Sequence, residues 1–163
     1  MKITIDKTLW KEISSDLQQM QTFLEQQFLS LAQNEGISKL SPDQITLYAF
    51  LTLRQEMSEG GLLQLLYNGY GPFIFENPFA KAMRLWGFKD FSKFIYSMRE
   101  LYDKYHQKLE SMDVNDDEFM ALYEQYPEME DADDEFIEIE PRVFKEIATF
   151  VMKNIHCFEI EAC

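Results

Sequence analysis

The chain has 163 residues, 46% of them hydrophobic and 15% aromatic, with a formal net charge of −14. That is enough apolar material for one domain with a sizeable core, which excludes a wholly disordered chain despite the charge. Cys157 and Cys163 form no disulfide framework, the start lacks the apolar core of a signal peptide, and no run nears the ~18 apolar residues of a membrane span, so a soluble, cytoplasmic protein is expected.

The elements read as helical from the start. Leu9, Trp10, Ile13, Leu17, Met20, Leu24, Phe28 and Leu31 recur at three and four residues, the stripe of one amphipathic helix or of two joined near Ser14-Ser15. Gly36 caps its end. Ser41-Pro42-Asp43 opens the next helix, with serine as cap, proline in the first turn and an acid at the positive end. Gly60-Gly61 interrupts it. LLQLLYN (62–68) is a short, very apolar helix closed by Gly69-Tyr70-Gly71-Pro72. A helix follows Asn77-Pro78, and a longer one begins at Asp90 with Phe91, Phe94, Ile95, Met98, Leu101, Tyr102 and Tyr105 on one face. FMALYEQY (119–126) makes another, capped by Asp116 or Asp117. Pro141 opens the last, carrying Phe144, Ile147, Ala148, Val151 and Ile155. FIEIE (136–140) alternates like a strand with no partner, so it is expected to be extended within an acidic loop. The fold class is all-α, with about seven helices: an N-terminal helical segment over 1–39 and a main helical part over 40–163, packed as one domain.

Charge is distributed unevenly. Residues 109–141 hold Glu110, Asp113, Asp116, Asp117, Glu118, Glu124, Glu128, Glu130, Asp131, Asp133, Asp134, Glu135, Glu138 and Glu140, and no lysine or arginine. The remaining 15 acids are matched by all 15 bases, so the whole excess sits in this window. Such a field repels nucleic acid and membrane surfaces and attracts cationic ones. Phe119, Leu122, Tyr123, Tyr126, Phe136, Ile137 and Ile139 are interleaved with the acids and can pin the segment to a core. An ordered segment of this kind could imitate the charge spacing of DNA, whereas a solvated face would only aid solubility.

Catalytic and metal chemistry find little footing. His106 and His156 lack an evident nucleophile or base arrangement, and no phosphate loop or dinucleotide fingerprint is present. Asp113, Asn115, Asp117 and Glu124 fall at positions one, three, five and twelve of a calcium loop, one alternative reading of 113–124. Glu118 stands where that loop needs glycine, and helical sequence begins too early. No cofactor and no resident metal is expected.

Gly60-Gly61 with Gln64 and Asn68 is a further constellation. The glycines serve a tight backbone approach, and the two amides lie one turn apart. They either fix neighbouring structure or, with tyrosines such as Tyr48 and Tyr67, line a small-molecule pocket. EGGLLQLLYN resembles the N-G-G-F-x-Q-F-x-x-N signature of a bacterial domain of unknown function named after a DNA-mimic protein. Gly60, Gly61, Gln64 and Asn68 match, while Glu59, Leu62 and Leu65 depart from it. AKAMRLWGF and Asp134-Glu135-Phe136 follow in the family's order, and the resemblance spans roughly residues 40–157. It implies an all-α fold. In one characterised member it goes with a homodimer whose carboxylates imitate DNA phosphates on a transcription factor. The expected function is therefore binding, not catalysis. Asp113, Asp116, Asp117, Glu118, Glu124, Glu128, Glu130, Asp131, Asp133, Asp134, Glu135, Glu138 and Glu140 would face a basic, DNA-binding protein, while the glycine motif plays a structural part.

Overall fold

A computed structural model describes all 163 residues. In chain order the elements are β1 (Ile3–Ile5), α1 (Lys7–Ile13), α2 (Leu17–Phe23), α3 (Ser30–Glu35), α4 (Pro42–Glu59), α5 (Gly61–Tyr67), α6 (Phe79–Leu85), α7 (Lys89–Glu110), α8 (Asp116–Gln125), α9 (Glu128–Lys153) and β2 (Ile160–Ala162). Leu24–Leu29 and Pro72–Glu76 are π-helical, and Ile37–Lys39 and Ile155–Phe158 are short 3-10 turns. The all-α class stands. No helix is long and apolar enough to cross a membrane.

The chain forms two compact units. One combines Met1–Thr52 with Pro141–Cys163, and the other is Leu53–Glu140. In the first, the N-terminal stripe becomes α1 and α2, each capped by an aspartate: Asp6 accepts from Thr8 and Leu9, and Asp16 from Gln18 and Gln19. Gly36 ends α3 at φ 81°, as its cap role requires. Ser41 and Gln44 cap α4 reciprocally, Gln44 N–H donating to Ser41 Oγ at 3.2 Å and Ser41 N–H to Gln44 Oε1 at 2.9 Å. The Gln44 amide is fully buried and donates to the carbonyls of Met1 and Phe158, which ties the two chain ends together. Those ends also pair as a two-stranded parallel sheet, Ile3 opposite Ile160, which the sequence reading did not anticipate.

The second unit has a core of Leu62, Leu63, Leu65 and Leu66 from α5, Phe91, Phe94, Met98 and Tyr102 from α7, Leu122 from α8, Tyr126 just after it, and Met129 and Phe136 from α9. Two expectations are corrected here. The acidic stretch before the last helix is not a loop, and FIEIE is not extended: both belong to α9, which begins at Glu128. Met129, Ala132 and Phe136 are buried at helical spacing, and burying that stripe outweighs the local alternation. Pro141 lies inside this helix instead of opening it, so the carbonyl of Ile137 lacks its usual helical donor.

Candidate functional site

Of the acids of 109–141, Glu110 ends α7, Asp113 lies in the turn before α8, and the other twelve are on α8 and α9. Asn115, not Asp116 or Asp117, caps α8. Its Oδ1 accepts from Glu118 N–H at 2.9 Å, and Glu118 reaches back to Asn115 N–H at 3.1 Å. Asp116, Asp117 and Glu118 fill the first turn, where negative charge favours the helix dipole. A helix starting at Asp116 removes the twelve-residue loop that calcium ligation by Asp113, Asn115, Asp117 and Glu124 would need, so that alternative is corrected.

On α9, Asp131, Asp134, Glu135 and Glu138 are exposed and have no ion-pair partner. At 100° per residue they share a sector of about 100°. At ~1.5 Å rise per residue they span ~10.5 Å of axis in steps of ~4.5, ~1.5 and ~4.5 Å, a mean of one charge per ~3.5 Å against ~3.4 Å per phosphate along one DNA strand. Glu130 is exposed beside them, and Asp113, Asp116, Asp117, Glu118 and Glu124 are exposed on and before α8. Glu128 is exposed but already engaged: Tyr105 hydroxyl donates to it at 2.8 Å and Lys104 Nζ at 3.1 Å, which holds its carboxyl below the usual range.

Two of the expected surface acids turn inward. Glu140 forms a largely buried ion pair with Arg54. Asp133 is partly buried and accepts from Leu62 N–H at 2.8 Å. That bond gives the glycine motif its meaning. Gly61 has φ 74°, and a Cβ there would lie 2.3 Å from an Asp133 oxygen. Only glycine lets α9 come this close. Tyr123 hydroxyl donates to the Gly60 carbonyl at 2.6 Å, which fastens α8 to the same turn. A Cβ at Gly60 would meet the Gln64 side chain at 2.1 Å. Gln64 and Asn68 both donate to Glu56 Oε2, at 3.3 and 2.9 Å, so their amides join α5 to α4. Tyr67 packs on Phe119 at 5.0 Å between ring centres. These bonds favour the structural use of Gln64 and Asn68 over the pocket use. The motif is the seat on which the acidic helices rest, a role visible only once Asp133 and Tyr123 are placed.

Burial pushes the Asp133 carboxyl up to about 6, reinforced by Asp134 and Glu130 and opposed by the Leu62 N–H. Below about pH 4 the group is protonated whether the chain is folded or unfolded, and its stabilising contribution is fully present. As pH rises through about 6 that contribution is lost, since the folded chain holds the proton more tightly. Discounted for the group's partial exposure, the loss is on the order of 1–2 kcal/mol. Asp133→Asn keeps an oxygen for Leu62 N–H and cannot ionise. Urea unfolding at pH 4.5 and 7.5 should show the variant gaining on the parent by roughly two-thirds of that amount at the higher pH, the rest being lost below pH 4.5. Parallel profiles would count against a buried, proton-holding Asp133.

The helical scaffold thus seats an acid-covered helix pair on a glycine turn. The chain belongs to the DMP19-like protein family, which matches residues 38–154. It is also 33% identical over 125 residues to the DNA mimic protein DMP19 of Neisseria meningitidis serogroup B (strain ATCC BAA-335 / MC58), across 77% of this chain and 76% of that one.

Proposed function

We propose that the chain acts by binding, presenting the exposed acids of α8 and α9 to the nucleic-acid-binding face of a basic protein. The observation that carries this reading is the unpaired row Asp131, Asp134, Glu135 and Glu138 on an ordered helix, whose mean axial charge density is close to that of one DNA strand. The name of the related DNA mimic protein supports the same reading. Order is what separates mimicry from simple acidity, because a mobile tail holds no spacing. Ile137 and Met120 add apolar surface, being 69% and 64% exposed among the acids, which suits a protein partner better than bare cations. A homodimer, which the family resemblance implied, belongs to the same proposal.

Ionic strength gives the test. The immobilised chain should retain DNA-binding proteins at ~50 mM salt. Retention should fall steeply by ~200 mM, as salt screens the exposed charges. Retention insensitive to salt, or none at low salt, would overturn the reading.

A further inference from the structure

The Leu53–Glu140 unit also holds a cavity of about 270 Å³ walled by the Pro72–Glu76 segment, α6 and α7. We propose that it binds a small organic anion: a carboxylate on an apolar body. Three observations converge on it, none of which the acidic surface uses.

The first is the wall itself. Pro72–Glu76 is π-helical, a rare winding that recurs at functional sites. It is shaped by its neighbours. A Cβ at Gly71 would lie 2.3 Å from the Tyr102 ring, so glycine lets that ring close against the segment. Tyr102 hydroxyl then donates to Glu76 Oε1 at 2.8 Å. Tyr102 thus contacts both ends of the wide turn.

The second is charge. In a chain of net charge −14, Lys81 and Arg99 both border this opening. Lys81 is exposed and forms no ion pair. Arg99 has only a loose contact with Asp103, 3.9 Å apart with both side chains well exposed. Two weakly engaged cations at one opening suit a carboxylate, which arginine can hold through paired N–H groups.

The third is the apolar lining. Exposed Pro78 and Tyr96, the latter 43% exposed, line the cavity, with Ile95 buried just behind them. These surfaces favour an alkyl or aryl body over a bare inorganic ion. Glu76, held by Tyr102, is also among the lining residues, so the opening carries two cations against one carboxylate, a net charge that suits a monoanion better than a multiply charged phosphate.

Hexanoate is a suitable probe, titrated into the full-length, isotope-labelled chain and followed by NMR. The Ile95 methyl and Tyr96 ring signals should shift and saturate in the millimolar range. Hexanol should bind at least about tenfold more weakly, as should hexanoate to Arg99→Gln, one lost charge-assisted contact being worth about that factor. Lys81→Gln should weaken hexanoate in the same direction and serves if the arginine variant fails to fold. Shifts that never saturate, equal shifts with hexanol, or the same shifts with inorganic phosphate would each overturn the proposal.

Discussion

Gly61→Ala should cost the chain about 3 kcal/mol and lower its melting temperature by roughly 6–12 °C, given ~2–4 °C per kcal/mol at this size. Two penalties combine. The residue sits at φ 74°, which strains any side chain by about 1 kcal/mol or more. The new methyl would also meet the Asp133 carboxylate at 2.3 Å, so α9 must move away. Gly69→Ala is the control. Its φ of 80° carries the same strain, but nothing lies within 4 Å of the added methyl. It should lose only the first penalty. Hydrogen exchange sharpens the comparison: Gly61→Ala should loosen amides along the first half of α9, and Gly69→Ala should not. Equal losses from both substitutions would mean that the glycine turn does not seat the acidic helix.

The second large effect concerns binding without folding. Replacing Asp131 and Asp134 with asparagine and Glu135 and Glu138 with glutamine keeps shape and removes four charges. None of the four has an ion-pair partner to lose. Like charges at i and i+4, such as Asp131 with Glu135 and Asp134 with Glu138, repel within the helix, and relieving them offsets the loss of Asp131 from the first turn, so the variant should match the parent's stability to within about 0.5 kcal/mol. Its affinity for a captured basic protein should fall by about a hundredfold. The dependence of affinity on salt should weaken in step, since fewer charges remain to be screened. Affinity unchanged at low salt would move the interface elsewhere on the molecule.

How far the sequence could be read depended on where the deciding contacts lie. The start of α4 was legible because Ser41, Pro42 and Gln44 settle it among themselves. The acidic window was legible from counting alone. Its helical state was not, because Phe136, Ile137 and Ile139 alternate with acids over five residues. The longer spacing of Met129, Ala132 and Phe136 was the better guide. Pro141 compounded the error, since proline usually begins helices and here interrupts one. The terminal strands are three residues each and lie at opposite ends of the chain, so no local pattern betrays their pairing. Asp133 looks like its acidic neighbours in sequence. It differs only in lying one residue past Ala132 on the buried side of α9, where Leu62 N–H awaits it. The glycine motif could be recognised but not explained, because its function is to admit a carboxylate 72 positions beyond Gly61.

A DNA-binding protein that the chain captures supplies the deciding measurement. That protein is bound first to its own labelled duplex, and the chain is then titrated in at low salt while DNA release and complex mass are followed together. DNA should leave in step with binding of the chain, no three-component complex should form, and the four-charge variant should release none. A stable complex holding DNA and the chain at once, or equal release by the variant, would contradict an anionic surface that stands in for phosphates.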